Sequence, residues 1–255
     1  MKTAFIHRIS KGSKFNQIYI PKEMDSSFKV GSLVEISLIK RKIYASKNFS
    51  LIEFKQTLID EIFSSLSNFN EIQQIFIVGS FLTKKEDYND IDILLITKEE
   101  ISEKVHNFLT NKFNLKFHVI CTTKHNLKEL TKIDPLIRNM LHEYISTDKI
   151  ILPKREIDKE HLKFLLMMPE DLLEVNVSGK EYYNSLRRLL AIEKFLENKD
   201  ENPEKIEIEL KAILEDKLLF LLKNNEIIEG NALKKIRETI KNKLDKIKRI
   251  LNGQK

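Results

Sequence analysis

Two aspartates separated by one residue stand at the head of an apolar run, in the segment NDIDILLIT. Side chains of a β-strand alternate between its two faces, so Asp90 and Asp92 would project together while Ile91 turns into the core. Two carboxylates held side by side in a cleft repel each other, and a divalent cation relieves that repulsion. Oxygen ligands of this kind suit Mg²⁺ or Mn²⁺, which combine one or two carboxylates with water and substrate phosphates.

A Gly-Ser pair ends the preceding apolar run, in the segment IFIVGS. Gly79 would let the backbone approach a ligand closely, and Ser80 would begin a short helix whose N–H groups and positive end face a phosphate. Lys84 and Lys85 follow on that helix and could assist phosphate binding, unless they lie on a solvated helix face. Taken singly, the motifs have plainer interpretations, a capped turn for the Gly-Ser pair and an exposed strand for the aspartates. Their joint occurrence favours a site for metal and phosphate.

Alternating strands and helices surround these motifs. Ser50 can cap the first helix with Glu53 at capping-box spacing, and Ile52 begins an apolar stripe that continues at helical intervals. The alternation predicts an α/β (α+β) fold in which helices pack on a mixed or parallel sheet. The predicted elements are strands ending at 78 and over 91–97, 115–122 and 149–152, a short helix from 80, and helices over 99–113, 125–131 and 135–145.

The segment VGS, followed after nine residues by DIDILL, resembles the signature of the DNA polymerase β-type nucleotidyltransferase superfamily, particularly its minimal members. The resemblance covers roughly residues 50–152 and includes the segment HVICTTKHNLKELTKIDPLIRNML. It implies a nucleotidyltransferase-type mixed sheet and an enzyme that moves a nucleoside monophosphate from an NTP to a protein or RNA acceptor. It also implies that Asp90 and Asp92 hold Mg²⁺ or Mn²⁺, and that Gly79 and Ser80 bind the β- and γ-phosphates.

One position departs from the resembled family, which carries a third carboxylate on a later strand. His118 occupies the corresponding place in the strand NLKFHVICT. A neutral imidazole can act as a base near pH 7 or bind a transition metal, but it brings no negative charge to a magnesium site. The alternatives are a rearranged activity, an acid supplied by the helical region, a binding domain that kept the fold, or a purely structural histidine.

The N-terminal segment is predicted to be a small β-rich unit with strands over 3–9, 16–20, 32–39 and 42–46. Its segments IPK at 20–22 and VGSLV at 30–34 resemble the AbrB/MazE/SpoVT swapped-hairpin module. The resemblance implies a homodimer of interleaved hairpins that binds DNA through basic residues on one face. The candidate residues, whose phosphate contacts would be salt-sensitive, are Arg8, Lys11, Lys14 and Lys22. A unit that serves only dimerisation or docking is the alternative.

After residue 153 the apolar periodicity is helical throughout and predicts a C-terminal bundle. Nine basic residues stand against two acidic ones from Lys234 to Lys255, so the last helix either contacts nucleic acid or packs as an amphipathic seam with a solvated basic face. The predicted helices lie near 156–167, 179–197, 203–223 and 230–251, and the predicted domains are 1–47, 48–153 and 154–255.

The composition limits the class of protein. The chain of 255 residues is 42% hydrophobic and 32% charged, with a net charge of +6, which is typical of a globular protein rather than a disordered one. It has no apolar run of the roughly 18 residues that span a membrane, and its N-terminus does not resemble a signal peptide. We therefore expect a cytoplasmic protein without membrane contact. A single cysteine, Cys121, excludes an internal disulfide.

Two functions follow from the sequence. The first is a metal-dependent nucleotidyltransferase, which toxin–antitoxin systems would accommodate by analogy. The second is a dimeric AbrB-type DNA-binding regulator whose nucleotidyltransferase domain is inactive or senses nucleotides. The intact Gly-Ser and Asp-x-Asp motifs favour the enzyme, whereas the missing third carboxylate favours the regulator.

Overall fold

The computed structural model describes residues 5–24, 27–36, 42–83 and 88–253. These residues form nine α-helices, a five-stranded mixed sheet and a two-stranded ribbon. The expectation of a mixed α/β protein is thereby confirmed. The contacts of the chain divide it into two compact units, residues 1–40 and residues 41–255.

The N-terminal unit has little regular structure in its described residues. Two short strands, β1 (Ser10–Lys11) and β2 (Asn16–Gln17), pair in antiparallel fashion, and a 3₁₀ turn follows at Lys22–Met24. The longer strands expected over 3–9 and 16–20 are not formed by the described residues, and the strand expected over 32–39 lies partly outside them.

The larger unit is built on a sheet in the order β3-β7-β4-β5-β6. Strand β4 is antiparallel to both β5 and β7, while β6 is parallel to β5. The strands expected at the two motifs and at the histidine are confirmed. The strand bounds are β3 (Tyr44–Ala45), β4 (Ile72–Val78), β5 (Ile91–Thr97), β6 (Phe117–Thr122) and β7 (Tyr144–Ser146).

Nine helices complete the described part of the larger unit. They are α1 (Glu53–Leu66), α2 (Ser102–Phe113), α3 (Lys124–Ile133), α4 (Pro135–Met140), α5 (Lys159–Asp171), α6 (Gly179–Leu196), α7 (Pro203–Leu214), α8 (Asp216–Lys223) and α9 (Gly230–Leu251). Helices α5 to α9 form the expected bundle around one apolar core, and the seam of α9 is buried as its periodicity predicted. No helix in the described ranges is both long and apolar enough to cross a membrane.

The two faces of the sheet are covered by different helices. Ile91, Ile93 and Leu95 of β5 pack with residues of α1 and α2 in one core. The intervening Leu94 and Ile96 belong to a second core, formed with residues of α3 and α4. Because side chains alternate along a strand, Asp92 lies on the same face as Leu94 and Ile96.

Several predicted boundaries were wrong. Helix α1 begins at Glu53 with Ile52 at its N-cap and without a side-chain cap, so the expected capping box of Ser50 is not formed. Ile52 is 48% exposed instead of starting the buried stripe. The helix predicted over 203–223 is interrupted at Glu215, whose positive φ of 66° ends α7.

The strand predicted at 149–152 was wrong, and the chain forms β7 at Tyr144–Ser146 instead. The helix expected over 135–145 ends at Met140, and residues 144–146 enter the sheet between β3 and β4. The N–H of Tyr144 donates to Ser46 Oγ at 3.0 Å, and its carbonyl accepts from Ser46 N at 3.0 Å. These partners are about a hundred residues away along the chain, so local periodicity could not indicate them. The predicted strand at 42–46 likewise contributes β3 to this sheet rather than to the N-terminal unit.

A buried ion cluster ties the loop between α6 and α7 to α4 and to the segment before α5. Glu201, with a side chain 6% exposed, accepts from Arg155 Nη2 at 2.7 Å and lies 3.5 Å from Arg138 Nε. Asn139 donates to the backbone carbonyl of Glu201 at 2.5 Å. Burial lowers the pKa of Arg138, and the charge of Glu201 opposes that effect. The loop between α6 and α7 is therefore held by groups on α4 and on the segment before α5.

We expect Glu201→Gln to reduce the free energy of unfolding by about 3 kcal/mol, because it leaves two buried guanidinium groups without a counter-charge. The matched control is Glu204→Gln, since the Glu204 side chain is 69% exposed and its partner Lys47 keeps an ion pair with Glu143. The control should cost less than about 1 kcal/mol. Urea unfolding of the wild type and the two variants measures both losses of stability. Equal losses would contradict a stabilising role of the buried ion cluster.

Candidate functional site

Strand pairing on both sides determines where Asp92 lies. Val78 of β4 is its antiparallel partner, and His118 of β6 is its parallel partner. The Nδ1 atom of His118 is 3.1 Å from Asp92 Oδ1. The aspartate side chain is 32% exposed and the histidine side chain 60%. The structure thus brings two of the residues singled out in the sequence into one hydrogen-bonded pair at the edge of the sheet.

Asp90 lies just before β5 and is partly exposed. Ile91 is fully buried between the two acids, as the alternation of side chains predicted. Burial raises the pKa of Asp92 above its ordinary value, and the negative charge of Asp90 raises it further, while the hydrogen bond and charge of His118 oppose the shift. The two carboxylates are therefore close enough to repel each other.

Gly79 makes room for the Asp92 carboxylate. Its backbone has φ of 81° and ψ of −159°, a region that only glycine occupies readily. A Cβ atom at this position would overlap Asp92 Oδ2 and lie 3.3 Å from Asp92 Cγ. The close approach that the sequence suggested for a ligand is made here by the carboxylate itself, which lies against the backbone at the end of β4.

Ser80 begins a single 3₁₀ turn, Ser80–Leu82, rather than the short helix that the sequence predicted. Leu82 N donates to Gly79 O at 3.2 Å, and Thr83 N donates to Ser80 O at 3.0 Å. One turn aligns few peptide dipoles, so phosphate binding at Ser80 would depend mainly on its own hydroxyl and N–H, and it stays a prediction. Ser80 is exposed beside Gly79. Lys84 and Lys85 lie outside the described residues.

Lys55 is a residue near this site that the sequence analysis missed. It is 2% exposed on α1, and its Nζ donates to the carbonyls of Phe81 and Thr83 at 2.9 and 3.0 Å. A signal was present in the sequence, because Lys55 precedes Leu58 and Ile59 by three and four residues. That spacing puts it on the buried face of α1.

The described residues suit a metal ion whose remaining ligands are substrate phosphates and water. They contain no group of three or more His, Cys, Asp or Glu side chains arranged to hold a metal. Asp90 and Asp92 supply two carboxylates, which is the number Mg²⁺ uses when substrate phosphates and water complete its coordination. The nearest imidazole nitrogen, His118 Nδ1, is already engaged by Asp92. A resident metal held by protein side chains alone would need more donors.

The basic residues predicted to contact nucleic acid fall in two regions. Arg8, Lys11, Lys14 and Lys22 are all exposed in the N-terminal unit. On α9, by contrast, many of the lysines are neutralised by acids of the bundle. The ion pairs join Lys235 to Glu215, Lys243 to Glu193 and Glu209, Lys246 to Glu193 and Glu197, and Lys248 to Glu170. Hydrogen bonds from Lys199 and Lys246 lower the pKa of Glu197 to about 2. Four of the eight basic residues on α9 are therefore paired with acids of the bundle.

Asp92→Asn should raise the free energy of unfolding at neutral pH. Because folding raises the pKa of Asp92, its ionised form is disfavoured in the native state, and this cost is present at every pH above the raised value. The cost shrinks as the pH falls through the raised pKa and is absent below the ordinary aspartate range. The stability difference between the variant and the wild type should therefore converge in acid, which urea unfolding at several pH values measures.

The control for the loss of one negative charge is Asp171→Asn, at an exposed position on α5. A variant that is less stable than the wild type at neutral pH would mean that the hydrogen bond between Asp92 and His118 outweighs burial and repulsion. The interpretation that burial and the charge of Asp90 destabilise the ionised Asp92 would then be wrong.

Comparison with known proteins adds no assignment to this geometry. No protein-family model matches the chain, and no curated protein matches it significantly. The case for a function accordingly rests on the arrangement of Gly79, Asp90, Asp92 and His118.

Proposed function

We propose that the chain is a metal-dependent nucleotidyltransferase of the DNA polymerase β-type superfamily, transferring a nucleoside monophosphate from an NTP to a protein or RNA acceptor. The observation that carries this proposal is the Asp92 carboxylate, which lies against Gly79, beside His118 and within electrostatic reach of Asp90. Charge crowding of this kind at a partly exposed edge is typical of functional sites.

The two aspartates are the groups that would hold the nucleotide's metal. Mg²⁺ or Mn²⁺ bound there would polarise the phosphoryl oxygens and neutralise charge that develops during transfer. Asp90 and Asp92 are partly exposed, so a triphosphate has access to both carboxylates. Ser80, exposed at the turn beside Gly79, would contact the β- or γ-phosphate through its hydroxyl and N–H.

His118 would serve as the base for the acceptor. A carboxylate can only accept a hydrogen bond, so the Nδ1 atom of His118 carries the proton that it shares with Asp92 Oδ1. The Nε2 atom then keeps its lone pair and can take the proton of an attacking hydroxyl. Asp92 thereby orients the imidazole and fixes its tautomer. This arrangement offers a base where the resembled family has its third carboxylate.

The test is transfer of label from each α-labelled NTP, with Mg²⁺ or Mn²⁺, onto total RNA and protein extract. We expect transfer by the wild type and at least a hundredfold loss in Asp90→Asn and in Asp92→Asn, since several kcal/mol of transition-state stabilisation depend on the metal, at about 1.4 kcal/mol per tenfold in rate. His118→Asn, which retains an N–H for Asp92 but no base, should lose about 10² to 10⁴ in rate with nucleotide affinity unchanged.

Asp171→Asn serves as the control and should transfer label at the wild-type rate. Absence of transfer by the wild type with every NTP, together with absence of NTP binding, would refute the enzymatic proposal. Binding of an NTP without transfer would favour a nucleotide-sensing domain.

A second function, a DNA-binding dimer, is favoured by the surface of the N-terminal unit. Its described residues expose more large apolar side chains than a small unit keeps in water without a partner. These side chains are Ile6, Ile9, Phe15, Tyr19, Ile20, Val30, Leu33, Val34 and Ile36. We propose that a second copy of the unit covers them, and that Arg8, Lys11, Lys14 and Lys22 contact DNA phosphates.

Leu33→Lys should convert the dimer to a monomer of 30.1 kDa, because a charge would be buried in the interface. Leu33 is fully exposed within a single chain, so the substitution should not disturb the fold of a protein that is monomeric. Ile227→Lys, at a position 81% exposed in the larger unit, is the matched control. Light scattering measures the mass, and a wild-type monomer would overturn the dimer.

A further inference from the structure

Lys55 connects α1 to the segment that follows β4. Its ammonium group donates to the carbonyls of Phe81 and Thr83 at 2.9 and 3.0 Å, and the side chain is almost completely buried. A buried ammonium group is retained only where strong partners replace its hydration. Both carbonyls belong to the turn that begins at Ser80, so a helix distant in sequence is bonded directly to the proposed phosphate-contacting segment.

The backbone carbonyls of this turn fall into two groups. Gly79 O accepts from Leu82 N, and Ser80 O accepts from the N–H and the hydroxyl of Thr83. These bonds are local and close the turn. The carbonyls of Phe81 and Thr83 accept from Lys55 instead, so this side chain helps to fix the direction in which the chain leaves the turn.

The same ammonium group also contacts the far end of the connection between β4 and β5. It lies 5.1 Å from the ring centroids of both Phe81 and Tyr88. These two rings pack edge to face, with centroids 4.9 Å apart and planes at 83°. A cation over aromatic faces is attracted to them, most strongly where water is excluded. Tyr88 is two residues before Asp90, so Lys55 holds both ends of this connection.

We propose that Lys55 is a positioning residue for nucleotide binding, which holds the turn at Ser80 and the approach to Asp90 in the arrangement that receives the triphosphate. This inference rests on the proposed function, because it assigns a role within the same site. Lys55 does not touch the reacting groups. It acts by keeping the binding-competent conformation populated, and a ligand binds more weakly in proportion to any loss of that population.

Lys55→Met tests the role, since methionine fills similar space without the charge or the donors. We expect hydrogen exchange to accelerate at residues 80–83 and the apparent Kd for Mn²⁺-NTP to rise about tenfold, as it does when the competent population falls to about a tenth. Exchange is measured without nucleotide, and the Kd by equilibrium dialysis with each of the four labelled NTPs. Lys55→Arg keeps the charge and should recover part of the affinity.

The control is Lys112→Met, which removes another lysine that lies over aromatic rings and bonds a partner, Ser65 Oγ, away from the site. It should leave exchange at residues 80–83 and the Kd unchanged. If Lys55→Met does not fold, the comparison is made on Lys55→Arg, whose longer planar group cannot reproduce both bonds and should weaken binding about threefold.

The outcomes separate this inference from the proposed function. A folded Lys55 variant with wild-type exchange at 80–83 and wild-type Kd would overturn the positioning role while leaving the enzyme intact. Slower or unchanged hydrogen exchange at residues 80–83, combined with weaker nucleotide binding, would also overturn it. The proposed mechanism requires the variant to exchange faster there. A wild type that binds no NTP would refute the proposed function and, with it, any role of Lys55 in nucleotide binding.

Discussion

The pairing of Val78 with Asp92 and of Asp92 with His118 is the constraint on which the site depends. A slip of one residue in β5 would turn the carboxylate toward α1 and α2 and carry Ile91 and Ile93 to the opposite face. Those isoleucines are buried to 1% exposure or less, so the apolar core resists the slip. The position of the polar groups is therefore determined by apolar packing on the other side of the sheet.

This arrangement crowds negative charge at Asp92 and requires a glycine at position 79. Gly79 has a backbone conformation that other residues avoid, and Asp92 is held beside a second acid in a half-buried environment. Crowded charge of this sort persists only where the surrounding structure holds it in place, and carboxyl groups with perturbed pKa values concentrate at functional sites. A cation with phosphate ligands would relieve the repulsion, which is the physical basis of the nucleotide chemistry that we propose.

Part of the basic charge near the C-terminus is balanced inside the bundle. The basic excess near the C-terminus suggested a contact with nucleic acid, yet Glu193 is buried between Lys243 and Lys246 and balances them within the bundle. Among the residues that the structure describes on α9, Lys234, Arg237, Lys241 and Arg249 form no ion pair with another described residue, and Arg237 donates instead to Val175 O and Asn176 Oδ1. The surface of the N-terminal unit differs from that of the bundle, because its described residues expose many large apolar side chains.

The sequence by itself determined the strands at the two motifs, the burial of Ile91 between paired acids, and the buried seam of α9. Each follows from a period of two or about three and a half residues, which local spacing encodes. Tertiary structure alone decided that β7 lies at Tyr144–Ser146, that a single turn follows Gly79, and that Lys55 bonds the carbonyls of that turn. These features depend on partners far along the chain, such as the carbonyl of Phe81, 26 residues from Lys55. Local periodicity shows which face of an element is apolar, but it does not show which distant group will meet that face.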